Sequence, residues 1–189
     1  RNFASDEAYF SYVAGGSTGA GPGSSLDIDV IAGSTTTQDV VVMTWWDQEN
    51  GGNWMYSYKT APCDDKDRGE AGSTWSTPML LMEDAGEYCK IAVGKDGSIH
   101  MAAYDSGNAS LVYAYLPTYN SAQTALKTST IDGYGTTGLE INLETIVSEN
   151  NHVVPYVSYY GPTSNAPVRM AYLIDSSTAV DYSIGGVNS

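Results

Sequence analysis

Positive charge is the scarcest property of this sequence. Its 189 residues carry 8 Lys and Arg against 22 Asp and Glu, a formal net charge of −14. Sequence-independent nucleic-acid binding needs clustered basic side chains on phosphates, so that class is excluded. Attraction to an anionic lipid surface is disfavoured for the same reason. Histidine is nearly missing: His100 and His152 stand alone, and two isolated imidazoles make no ligand cluster. Both read as structural or surface residues. There is no GxSxG elbow, and the Gly-rich runs Gly15–Gly21 and Gly185-Gly186 lack a P-loop lysine, so they read as turns. No apolar run approaches the roughly 20 residues of a membrane-spanning helix, and no membrane insertion is expected. The longest, Val40–Met43 continuing into Trp45-Trp46, has strand length. Stretches with apolar residues at i, i+3, i+4 and i+7 are also missing, which removes the helical fold classes.

Only two cysteines are present, Cys63 and Cys89, without CxxC spacing, so zinc and thioredoxin-type chemistry are disfavoured. In an extracellular protein they would form one disulfide. Closing a loop of about 27 residues would stabilise by about 3–4 kcal/mol in the chain-entropy model. Two buried free thiols are the alternative.

What is plentiful points outward from the cell. There are 15 Tyr, 20 Gly and only 2 Phe, and Ser and Thr make up about a fifth of the chain. That mixture suits β-sheets with wet faces and hydroxyl-rich loops. The apolar share of 42% supports a core for one ordinary domain, residues 1–189. The sequence begins Arg1-Asn2-Phe3 with no leader, as expected of a processed or excised chain. A secreted or cell-surface location is therefore expected.

Within the span between the cysteines, Asp64, Asp65, Asp67 and Glu70 alternate with Lys66 and Arg68 and surround Gly69. Converging carboxylates could hold a calcium ion. The intervening cations and the missing closing Glu favour a solvated charged turn instead. Calcium is the one ion that the sequence suggests, and no other cofactor is implied.

Internal similarity is the strongest signal. Tyr58, Tyr115 and Tyr172 lie 57 residues apart, each in an aromatic-rich run following a β-rich run and a polar turn. The paired runs are Val40–Asp47 with Trp54–Lys59, Ser98–Asp105 with Leu111–Leu116, and Val154–Gly161 with Val168–Leu173. Upstream of each pair lies a short apolar run (Leu26–Ile31, Cys89–Val93, Leu139–Ile146). Downstream lies a weaker one (Ser76–Met82, Ala125–Ile131, Ala179–Ile184). An all-β fold of about three four-stranded antiparallel units follows, approximately 22–82, 83–131 and 132–184, with a leading strand at 8–13. Four strands joined by turns are the anatomy of a propeller blade.

The run Lys95-Asp96-Gly97-Ser98-Ile99-His100-Met101-Ala102-Ala103-Tyr104-Asp105, continuing to Leu111-Val112-Tyr113-Ala114-Tyr115, resembles blade repeats of secreted bacterial sialidase-like β-propellers. Arg68-Gly69-Glu70-Ala71-Gly72-Ser73-Thr74-Trp75 is similar to their Asp box, departing from it at Arg68 and Glu70. The resemblance implies stacked blades around an axis. Natural propellers close with four to eight blades, so three imply an incomplete ring. Completion by a partner chain, by self-association or by a further segment is expected; an open stack of sheets is the alternative. Sialidase chemistry in that family needs an arginine trio. Arg1, Arg68 and Arg169 are the only arginines here, and none matches the family's placement.

Binding is the better-supported activity. Trp45, Trp46 and Asp47, then Tyr104 and Asp105, then Tyr159 and Tyr160 end equivalent runs and would gather at one rim. There aromatic faces could stack on sugars while carboxylates take their hydroxyls. Packing between blades is the competing account of the same aromatics, and the favoured one. The function expected is a non-enzymatic extracellular module for adhesion, glycan binding or assembly, with a glycan or protein ligand. A fragment of a sialidase-like glycoside hydrolase and a subunit of an extracellular fibre or lattice are the alternatives. Asn108-Ala109-Ser110 is a formal glycosylation sequon in an expected hairpin turn.

Overall fold

A computed structural model describes residues 25–33, 38–48, 51–61, 75–133, 137–161, 168–176 and 179–185. Within them the chain is strand and turn, apart from one short 3-10 turn at Gln123–Ala125. Twelve strands form three antiparallel sheets, each a meander of four in chain order. The first holds β1 (Leu26–Ile31), β2 (Asp39–Asp47), β3 (Asn53–Ala61) and β4 (Met79–Met82). The second holds β5 (Ala85–Val93), β6 (Ile99–Asp105), β7 (Ser110–Leu116) and β8 (Lys127–Asp132). The third holds β9 (Leu139–Val147), β10 (Val153–Tyr160), β11 (Val168–Ser176) and β12 (Ala179–Gly185). The expected leading strand at 8–13 lies outside the described residues.

Local rules account for the meanders. Alternation in β2 sends Val40, Val42 and Thr44 to one face and the less buried Val41 and Met43 to the other. The β5–β6 hairpin turns through Lys95-Asp96-Gly97, where Gly97 has a φ of 84° that a side chain would resist. Its N–H donates to Gly94 O at 2.9 Å, and the Gly94 N–H donates to Ser98 O at 2.8 Å.

The second sheet lies between the other two, and its inner strands show it. Every residue of β6 is buried, which explains the unbroken apolar run Met101-Ala102-Ala103-Tyr104 in place of alternation. One core joins the first and second sheets through Val42, Trp54, Tyr56, Ile91, Met101 and Leu116. A second joins the second and third sheets through Ala102, Tyr113, Leu143, Val157 and Tyr159. The leading strands β1, β5 and β9 run side by side across both boundaries. Carboxylates stitch the first two: Asp27 accepts from Ile91 N at 3.0 Å, and Asp29 accepts from Val93 N at 2.8 Å. These bonds satisfy edge amides of β5 that its own sheet leaves open. Across the next boundary, Thr145 Oγ1 donates to Val93 O at 2.9 Å.

The register defines equivalent positions in the three sheets. Val42 faces Tyr58, His100 faces Tyr115 and Tyr156 faces Tyr172. On the other side, the same three second-strand residues face Asp29, Ala92 and Glu144. Asp29, Ala92 and Glu144 are thus equivalent positions.

Candidate functional site

Counting back four residues from those positions reaches Ser25, Tyr88 and Glu140. Tyr88 and Glu140 have φ values of 55° and 51°, in the left-handed region where non-glycine residues are uncommon. Each sits in a β-bulge. The pairs Glu87 with Tyr104 and Lys90 with Ala102 enclose two residues on β5 against one on β6. Leu139 with Tyr160 and Asn142 with Ser158 do the same on β9 against β10. The same distortion therefore recurs at the same place in two sheets. A bulge re-aims a side chain, and strain of this kind concentrates at functional sites.

A glycine precedes each bulge. Gly86 has a φ of 118°, and a Cβ there would lie 3.0 Å from Trp54 Cα. Gly138 has a φ of 102°, and a Cβ there would lie 3.1 Å from Leu111 Cα. Trp54 and Leu111 stand near the starts of the third strands β3 and β7. β5 and β9 thus each need a glycine to pass close to the preceding sheet, and the bulge follows directly.

The bulges open a recess of about 200 Å³ where the three leading strands begin. Ser25, Tyr88, Lys90 and Glu140 supply a hydroxyl, a phenol, an ammonium and a carboxylate, while Leu26, Cys89 and Ile141 supply apolar wall. The Tyr88 N–H donates to Ser25 Oγ at 2.9 Å, tying the entry of β1 to the bulge of β5. Tyr88 is 38% exposed, so part of it faces solvent. An aromatic surface beside donors and acceptors of both charges suits a small polyhydroxylated ligand.

The residues expected to form the site lie elsewhere. All seven end second strands, but packing buries most of them. Trp45, Tyr104, Asp105 and Tyr159 are buried, Trp46 and Asp47 are half-buried, and Tyr160 alone is exposed. Trp46 packs on Gly86, to which a Cβ would bring its ring within 3.1 Å. Asp105 caps the β6–β7 turn, accepting from Asn108 N and Nδ2, both at 2.9 Å. These positions follow the packing account. Of the expected Cys63–Cys89 bridge only Cys89 is described, as a free thiol 2% exposed in the core between the first two sheets. Burial pushes that thiol up to about 12, so it stays protonated and unreactive. Cys63 lies outside the described residues, as do Asp64, Asp65, Asp67 and Glu70 of the candidate calcium turn. Of the residues resembling an Asp box, only Trp75 is described.

Two polar networks run from the surface into the boundary between the second and third sheets. In one, Ser98 Oγ donates to Asp96 Oδ1 at 2.5 Å and meets His100 Nε2 at 2.7 Å, while His100 Nδ1 meets Tyr113 Oη at 2.5 Å. Burial pulls the His100 imidazole down to about 4, with Asp96 opposing. His100 is thus a neutral, hydrogen-bonded core residue that bridges Ser98 and Tyr113, with Ser98 standing between it and Asp96. In the other, Asp132 accepts from Tyr159 Oη at 2.9 Å and from Arg169 NH1 at 2.6 Å. Burial and the Asp132 hydrogen bond raise the Tyr159 phenol well above its ordinary value.

Comparison of the sequence with protein-family models and with curated proteins returns no match. The recess escaped the strand-end reasoning, yet a signal for it exists. Gly23, Gly86 and Gly138 each stand two residues before Ser25, Tyr88 and Glu140, and an aliphatic residue follows each of these three at a spacing of three.

Proposed function

We propose that this chain is a propeller-type recognition module, secreted or displayed at the cell surface, which binds a neutral saccharide in the recess at its leading strands. The four-strand meanders with adjacent leading strands support the blade reading, since blades present that strand toward a common axis. The observation that carries the binding is the repeated bulge, which sets Tyr88 and Glu140 at the rim of one recess at a backbone cost in two sheets. Tyr88 would stack on a sugar face, Glu140 would accept from hydroxyls, and Lys90 and Ser25 would donate to ring or hydroxyl oxygens. The chain's charge of −14 disfavours acidic sugars, so a neutral ligand fits better than a sialoside. No step of bond cleavage is assigned to these groups, and the reading is a binding one.

A glycan array with the intact chain tests it. Retention of neutral oligosaccharides that falls at least tenfold in Tyr88→Ala supports the proposal. Failure of the wild type to retain any saccharide, or unchanged retention in Tyr88→Ala, overturns it.

A further inference from the structure

The two boundaries between leading strands repeat their donors but not their acceptors. At the first, side chains of β1 take three amides of β5. Ser25 Oγ accepts from Tyr88 N at 2.9 Å, Asp27 Oδ2 from Ile91 N at 3.0 Å, and Asp29 Oδ2 from Val93 N at 2.8 Å. One sheet farther on, the equivalent amides are those of Glu140, Leu143 and Thr145 in β9. Leu143 and Thr145 face Val157 and Pro155 of β10, as Ile91 and Val93 face Met101 and Ile99 of β6. Pro155 has no N–H to exchange with Thr145, which fits amides of β9 turned toward β5. The side chains that should meet them are Tyr88, Lys90 and Ala92. Lys90 has only donors, Ala92 has no polar atom, and the oxygen of Tyr88 stands a whole ring farther out than a serine hydroxyl. The boundary is crossed in the opposite sense instead, Thr145 Oγ1 donating to Val93 O at 2.9 Å.

The imbalance opens into the recess, which both Lys90 and Glu140 line. Glu140 repeats the left-handed bulge of Tyr88, with φ values of 51° and 55°, so its N–H leaves the strand as the Tyr88 N–H does toward Ser25. Among the described residues no side chain accepts from it, and neither the Lys90 ammonium nor the Glu140 carboxylate has a hydrogen-bond or ion-pair partner. The recess thus holds two unused donors beside one unused acceptor, against apolar wall from Cys89 and Ile141. A ligand carboxylate would answer the donors but meet the Glu140 charge. A lone hydroxyl answers either side with one atom. A planar amide answers both. Its C=O would accept from the Glu140 N–H and the Lys90 ammonium, its N–H would donate to the Glu140 carboxylate, and its alkyl group would lie on Ile141.

We propose that the saccharide of this recess is a neutral N-acylated amino sugar, held by its amide at Lys90 and Glu140. The proposal rests on the saccharide reading above and names the group that the site selects. A ligand oxygen then stands at the boundary of β5 with β9 where Ser25 Oγ stands at the boundary of β1 with β5, and Tyr88 covers the sugar ring.

Two matched pairs of glycans, presented to the intact chain on one array, give the test: chitotetraose with cellotetraose, and N-acetylgalactosamine with galactose. The members of each pair differ by an acetamido group in place of a hydroxyl. In at least one pair the acetamido member should be retained about tenfold more tightly. Glu140→Ala and Lys90→Ala should each narrow that gap, whereas Tyr88→Ala should weaken both members together. Equal retention within both pairs overturns the amide and leaves the saccharide reading standing. Retention of no glycan overturns both. A gap that survives Glu140→Ala and Lys90→Ala, in variants whose circular dichroism matches the wild type, places the acyl group elsewhere and overturns the proposal. So does tighter retention of an N-acetylated dipeptide than of any glycan, which would mark a peptide site.

Discussion

The two boundaries between sheets are built from the same strands in the same register, yet they differ in kind. Between the first and second sheets the contact is bulky and mostly apolar, with Trp54, Tyr56, Met101 and Leu116 interlocked. Its buried polar atoms are few and local, such as Trp54 Nε1 donating to Thr44 Oγ1 at 2.7 Å. Between the second and third sheets the core includes Tyr113 and Tyr159, whose hydroxyls enter polar networks. Space there is given to the His100 and Asp132 networks. The first boundary draws most of its stability from buried volume, with the Asp27 and Asp29 bonds confined to its leading-strand edge. The second draws more of it from directional bonds, which fix register and make it titratable.

The largest test of that contrast is Trp54→Ala. Removing a fully buried indole from the apolar boundary should cost ~3–5 kcal/mol in urea unfolding. Its dependence on pH should match that of the wild type. A loss below ~1 kcal/mol would mean that the first boundary is not held by packing.

The second boundary is tested by acid. The unfolded imidazole titrates near 6.5 and the folded one near 4, so between these values the unfolded state holds more protons. Stability from this group is complete above pH 6.5 and is lost as pH falls through that window, by up to ~3 kcal/mol. His100→Asn should flatten the slope of stability between pH 6.5 and 4, although it lowers stability at pH 7. An unchanged slope would place the imidazole in water rather than in the core.

The difference between the boundaries also marks what a sequence can disclose. Strands are legible because alternation and turn residues act locally: Leu26–Ile31 reads as a strand and is one, and the Asp96-Gly97 turn forms as its residues demand. The equivalence of Tyr58, Tyr115 and Tyr172 is legible because each faces the same position of its neighbouring strand. The recess leaves only the spacing of three glycines in the sequence, because its bulges answer to contacts made across sheets. Gly86 and Gly138 are required by Trp54 and Leu111, which lie 32 and 27 residues away in the sequence. The aromatics at the second-strand ends look available until tertiary packing buries Trp45, Tyr104 and Tyr159. Cys89 looks like half of a bridge until its strand is seen to turn it into the core.

The smallest substitution bears most directly on the central claim, that the leading strands are bent for a ligand. Glu140 is exposed and left-handed, so its side chain adds strain and buries little. Unfolding of Glu140→Gly by urea, read beside saccharide binding, separates use from structure. A bulge kept for its side chain predicts that glycine relieves the backbone, raises stability by up to ~1 kcal/mol, and weakens binding. A less stable variant that binds as well as the wild type would contradict the account.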